Sequence, residues 1–289
     1  MKQTCIFFLL TALIACNMKK EQTVYRHTGS IERIDPELDS LIDADAKPEI
    51  IADGFEWSEG PVWVEASQML LFSDVPRNMI YKWTVEKGKE KYLEPSGYTG
   101  TVSRGGEMGS NGLLLDPQGR LVLCQHGNRQ MARMDAPLDK PKANFVALTN
   151  NFNGKRYNSP NDAAYNSKGE LFFTDPPYGL EKQMDDTAKE IPFQGVYKFL
   201  TTGEVVLLAD SLTRPNGIAL MPGEEKILVA NSDPNLPNWY IVDANPAQPP
   251  AAPVLFHSTV SADKNSKGLP DGFKFDKKGN LYATGPGGI

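Results

Sequence analysis

Five positions in this chain place an oxygen-bearing side chain at the start of a short apolar run: Glu59, Asn111, Asn161, Asn216 and Asp271. Two are carboxylates and three are amides, the donor types that a hard divalent cation selects. Successive members lie 52, 50, 55 and 55 residues apart, a spacing that belongs to a repeat and not to a local motif. Asn-Gly and Asp-Gly pairs are also ordinary turn signals that need no metal. One such pair would therefore say little, whereas recurrence at equivalent places favours a shared site. Glu59 adds weight, because in Trp57-Ser58-Glu59-Gly60-Pro61 a turn has no need of Glu. Soft ligands for a Cys/His zinc cage are lacking.

The elements that would position these residues follow from the same alignment of the chain with itself. Each leading residue opens a hairpin, as in Asn111–Asp116 with Gly119–Leu123 or Asn161–Ala164 with Gly169–Asp175. Leu-, Val- and Phe-rich runs flank polar turns such as Asp116-Pro117-Gln118-Gly119, which supply the Gly and Asp that tight turns require. Further strands are expected at Met79–Trp83, Gly195–Leu200, Val205–Ala209 and Trp239–Val242, and no amphipathic helix of ten or more residues is expected. A doubly wound α/β sheet needs such helices and is disfavoured. A two-sheet sandwich does not explain the polar residue that returns at the head of each unit. A repeat of about fifty residues suits a four-stranded propeller blade, whose innermost strands would gather the five residues into a ring at one end of a central channel. The second strand of each hairpin returns to the same rim, bringing Asp74, His126, Asp175 and Asn231 beside the ring.

The ends and the composition bound the setting. Lys2, an apolar run from Ile6 to Ile14, and Leu13-Ile14-Ala15-Cys16 have the layout of a secretory signal ending in a bacterial lipobox, with Cys16 as the acylated residue. Residues 1–16 are expected to be this signal, 17–46 a polar tether with a short helix near Ile34, Leu38, Leu41 and Ile42, and 47–289 the propeller. A lipid anchor holds a protein at a membrane without spanning it, so the expected location is the bacterial cell envelope. Beyond the signal only Cys16 and Cys124 remain, so no intramolecular disulfide framework is possible and stability must come from burial. A net charge of -6 without a basic cluster argues against a nucleic-acid partner. A monomer is expected.

At these residues the chain resembles the gluconolactonase-like family, which includes senescence marker protein and luciferin-regenerating enzyme. The resemblance runs from about Ser30 to Ile289. Its most specific stretches are Gly54–Trp63, Ser159-Pro160-Asn161-Asp162, Phe173–Gly179, Arg214-Pro215-Asn216-Gly217 and Pro270-Asp271-Gly272-Phe273. It implies an all-β, six-bladed propeller with one central divalent cation on Glu59, Asn161, Asn216 and Asp271, Ca²⁺ first among Mg²⁺, Mn²⁺ and Zn²⁺. Because the sequence stops at Ile289, it also implies a propeller truncated in the fifth blade with the sixth absent. Ser159 stands where animal members carry a substrate-touching Arg, so their substrate preference does not transfer.

The expected activity is hydrolysis of a sugar lactone or related cyclic ester, with Asp271 as general base and Asn111, His126, Asp175 and Tyr178 contacting sugar hydroxyls or orienting the ligands. No GxSxG nucleophile device is present, and only His27, His126 and His257 exist to serve a triad. Two rivals stay open: a non-catalytic, cation-stabilised scaffold, and phosphotriester hydrolysis on the same metal.

Overall fold

The computed structural model of the chain describes residues 25–260 and 265–289. The proposed signal and Cys16 lie outside the described residues. The chain divides into two compact units at the Asp53–Gly54 junction. In the first, β1 (Arg26–His27) pairs antiparallel with β2 (Glu49–Ile50), and a 3-10 helix covers Pro36–Ser40. Asp35 caps this helix by accepting the Glu37 N–H at 2.9 Å, and Pro36 begins it. The short helix expected near Ile34 is thus a single 3-10 element, and Ile34 itself is exposed. β2 pairs back onto β1 within this unit, which ends at Asp53.

The second unit is all-β. Four meandering antiparallel sheets follow one another along the chain. The first contains β3 (Ser58–Val64), β4 (Met69–Asp74), β5 (Met79–Thr84) and β6 (Gly88–Leu93). The second contains β7 (Ser110–Leu115), β8 (Leu121–Gln125), β9 (Gln130–Met134) and β10 (Phe145–Thr149). A small hairpin of β11 (Asn151–Phe152) and β12 (Lys155–Arg156) precedes the third, which contains β13 (Ala163–Tyr165), β14 (Leu171–Asp175), β15 (Gly195–Phe199) and β16 (Val205–Ala209). The fourth contains β17 (Pro215–Leu220), β18 (Lys226–Asp233), β19 (Leu236–Asp243) and β20 (Val254–Ser258). A two-stranded sheet of β21 (Phe273–Phe275) and β22 (Leu281–Ala283) completes the described strands. The first strands of successive sheets are neighbours in the order β3, β7, β13, β17, β21, a propeller-like arrangement with four blades of four strands. Among the described residues no helix is long and apolar enough to cross a membrane.

The unbroken apolar runs in the second strands have a direct cause. Side chains alternate across a strand, and here both faces of a blade are buried between its neighbours. Leu121 and Leu123 of β8 pack with Leu71 and Ile80 of blade one, whereas Val122 and Cys124 pack with Leu171 and Phe173 of blade three. Phe172 turns the other way, into the core shared with Ile218, Ile227 and Val229 of blade four. Leu228 and Ala230 complete the series against Phe273 of the fifth hairpin. Burial on both faces removes the alternating pattern that a half-exposed strand would show. Cys124 is a buried free thiol within this core.

Candidate active site

The polar residue that heads each inner strand is held by the blade before it. Ser73 Oγ donates to the Asn111 carbonyl at 2.9 Å, Gly112 N–H to the Asn161 carbonyl at 2.8 Å, and Thr174 Oγ1 to the Asn216 carbonyl at 2.6 Å. Ser232 Oγ reaches the carbonyl of Pro270, next to Asp271. The glycines after the ring residues make this approach possible. A Cβ on Gly60 would stand 2.2 Å from the Asn111 carbonyl oxygen, one on Gly112 2.7 Å from that of Asn161, and one on Gly217 2.2 Å from that of Asp271. For Gly60, Gly112 and Gly217 the pairing with Glu or Asn is therefore a demand of close approach between blades, whereas a Cβ on Gly272, after Asp271, would meet nothing within 4 Å. In blade three the same place holds Asp162, whose Oδ2 accepts the Ile218 N–H of blade four at 3.2 Å and so ties the two blades by a side chain.

These contacts link the strand starts that carry Asn111, Asn161, Asn216 and Asp271 to the preceding blades, and Glu59 of the first blade is close enough to Asp271 to be repelled by it. Asn161 is 1% exposed; its Nδ2 lies 3.4 Å from His126 Nε2, and its Oδ1 is buried without a hydrogen-bond partner. An orphaned carbonyl-type oxygen in the interior is costly unless something electropositive meets it. Asn216 donates its Nδ2 to Ser232 Oγ at 3.0 Å, which commits the amino side of that amide and fixes which way its Oδ1 faces. Glu59 and Asp271 are half-buried. Burial first, then repulsion from Asp271, Glu107 and Asp162, pushes the Glu59 carboxyl up to about 8, against a hydrogen bond from Trp57. Asp271 is raised to about 6 by burial and by Asp162 and Glu107, against the Gly272 N–H. Neighbouring carboxylates thus raise both groups, a field that favours a cation.

Among the described residues, no three His, Cys, Asp or Glu side chains form a ready metal cage. A cation here would have to draw on the amides as well, and the partnerless Asn161 Oδ1 fits that need.

The residues expected to touch substrate separate into two groups. His126 is fully buried, with Nδ1 3.4 Å from Glu107 Oε2 and Nε2 facing Asn161. Asp175 is also fully buried, and its oxygens accept the Asn158 and Ser159 N–H groups at 2.8 and 2.7 Å. His126 thus faces Asn161, and Asp175 pins the loop that leads into the third inner strand. Asp74 accepts from the Glu56 and Trp57 N–H groups, and Asn231 Oδ1 from that of Arg214, so each pins the loop leading into its own inner strand. Asn111 is 6% exposed, and Tyr178 is half-buried with its hydroxyl bonded to Ser232.

Three residues of the site carry no signal in the repeat. Glu107 comes from the long connection between blades one and two, and Asp162 was read only as a neighbour of Asn161. Trp57 is 58% exposed yet held at three points: its N–H donates to Asp74, its carbonyl accepts from Val75, and its indole N–H donates to Glu59 Oε1 at 2.7 Å. The WSEGP stretch contained that contact, but only as two residues of unspecified orientation.

A family-level profile described as the SMP-30/Gluconolactonase/LRE-like region matches residues 57–289. The chain belongs to this family. It is 38% identical over 265 residues to a gluconolactonase of Zymomonas mobilis, covering 90% of this chain and 73% of that protein. Among solved structures it is similar to a gluconolactonase from Xanthomonas campestris, with a TM-score of 0.68 and 28% identity over 90% of this chain and 78% of that one. A luciferin-regenerating enzyme shares the fold, with a TM-score of 0.57 and 16% identity over 81% and 70% of the two chains. The span matched by the family contains every ring residue from Glu59 to Asp271.

Proposed function

We propose that the chain hydrolyses a sugar lactone of the gluconolactone type, and that Glu59, Asn161, Asn216 and Asp271 are the ligands of one divalent cation, Ca²⁺ first. The observation that carries the reaction is the 38% identity to a gluconolactonase across 90% of this chain. The cation is supported by the orphaned Asn161 Oδ1 and by the crowding that raises Glu59 and Asp271. When bound, it would supply Lewis-acid polarisation of the lactone carbonyl.

The chain's own residues do the rest. Asp271, raised towards neutrality, accepts the proton of the attacking water. His126 Nε2 lies 3.4 Å from Asn161 Nδ2 while its Nδ1 faces Glu107, and this pairing orients the Asn161 amide. Tyr178 and Asn111 offer hydroxyl and amide groups to the sugar, and the locked face of Trp57 forms an apolar wall beside Glu59. Neither the cation-stabilised scaffold nor phosphotriester hydrolysis is favoured by the comparisons. The resemblance still implies a six-bladed ring, and the N-terminal motif supports acylation at Cys16 and residence in the cell envelope.

Lactone opening releases a proton, so turnover of gluconolactone followed by a pH indicator tests the reading. Activity that chelation removes and added Ca²⁺ restores is expected. A protein that cleaves no lactone under any metal would end the proposal. Mass spectrometry of the mature N-terminus tests the anchor, which a chain beginning at an unmodified residue would contradict.

A further inference from the structure

A cleft of about 370 Å³ lies between blades two and three at the ends of their strands remote from the ring. β7 leaves the ring at Asn111 and runs into the Asp116–Arg120 turn on one wall, and β13 ends at Tyr165 on the other. Arg133 of β9, Lys168 and Thr201 complete the part of the lining that matters for charge. Arg120 Nε meets Asp116 Oδ2 at 2.7 Å, so that pair is internally neutral. Among the described residues, the half-buried Arg133 guanidinium and the Lys168 ammonium have no hydrogen bond or ion pair, and the Tyr165 hydroxyl has no partner. Glu224 beside the Ser167 turn is occupied by the Ser167 N–H and hydroxyl at 2.9 and 2.6 Å, and Glu170 accepts from Asn166 Nδ2 at 2.7 Å. The cleft therefore presents two uncompensated positive charges on a chain whose net charge is -6.

We propose that this cleft is a second small-molecule site, for a phosphomonoester such as a sugar phosphate. Such a group carries about -1.5 to -2 at neutral pH, which matches two free cations, whereas a carboxylate supplies half of that. A guanidinium offers paired donors to phosphate oxygens, and a partly enclosed position spares it the screening of open solvent. The volume lies at the lower end of the roughly 300–1,000 Å³ of small-molecule pockets, large enough for a phosphorylated hexose. Nothing in this assignment depends on the reaction proposed for the ring.

Isothermal titration of chelator-treated protein with glucose 6-phosphate at low ionic strength is the test. Saturable one-to-one binding is expected, displaced by inorganic phosphate, with glucose and gluconate at least about tenfold weaker. Arg133→Gln should weaken binding by about tenfold or more. Lys168→Glu, at an exposed turn where folding is not at stake, should do the same, and both variants should keep wild-type lactone turnover. Absence of saturable binding, equal binding of gluconate, or undiminished affinity in the two variants would overturn the proposal.

Discussion

The ring has two unlike sides. In blades two and three it presents Asn111 and Asn161, neutral amides that are almost fully enclosed, with Asn161 set against a buried His126. In blade one and the fifth hairpin it presents Glu59 and Asp271, half-buried carboxylates raised first by burial and then by neighbouring carboxylates. The amide side of the ring is shaped by enclosure and carries no carboxylate among its ring members. The carboxylate side holds charge that the protein alone leaves unbalanced. A cation would therefore be received by a preformed wall and held by groups whose repulsion it relieves.

The largest effect expected is on the charged side. Asp271→Asn should lower lactone turnover by about 10²- to 10⁴-fold, the range for losing a general base, while some cation binding persists. Full turnover in that variant would remove Asp271 from the chemistry. On the neutral side the matching break is Gly112→Ala, whose methyl would meet the Asn161 carbonyl at 2.7 Å. A loss of about 1–3 kcal/mol, read by denaturant unfolding, is expected from such overpacking. Unchanged stability would show that the blades do not need this approach.

Glu59→Gln sharpens the comparison, because the two states of the protein should respond in opposite directions. Without cation and above about pH 8, where Glu59 carries its charge, removing that carboxylate should raise the melting temperature by a few degrees. With Ca²⁺ present the wild type should gain about 2.7 kcal/mol at a hundredfold excess over its dissociation constant, and the variant much less. A variant that melts lower than wild type in chelator would contradict the repulsion.

The smallest effect concerns Asp175, raised to about 7 chiefly by burial. A carboxyl whose folded pKa lies above its unfolded value binds more protons when folded. Its contribution is complete below about pH 4 and is lost as pH rises through about 7. Asp175→Asn should therefore show a shallower fall in melting temperature than wild type between pH 4 and 7, and parallel curves would refute the assignment.

Much of the fold was legible because a period of about fifty residues survives in the chain, with Gly-rich turns and strand pairs recurring at each return. Val205–Ala209 is found where the sequence placed it, and Met79–Trp83 and Gly195–Leu200 differ from the observed strands by one residue. Trp239–Val242 belongs to a longer strand, Leu236–Asp243, because residues 236–238 continue the ladder opposite Asn231–Asp233. The outer strand Gly88–Leu93 has a weak signal of its own, since its charged residues face solvent. The order of the inner strands was legible for the same reason as the blades. What the hydrogen bonds of Asp175, Asp74 and Asn231 do was not, because a polar residue at a strand end reads alike whether it faces a ligand or caps a loop. Glu107 escaped notice because electrostatic neighbours from a long connection leave no periodic trace.

The most direct test of the ring is an anomalous difference map from crystals grown with Mn²⁺. One peak bounded by side-chain oxygens of Glu59, Asn161, Asn216 and Asp271 is predicted. A map with no density among these four residues, or with its peak elsewhere in the molecule, would contradict it.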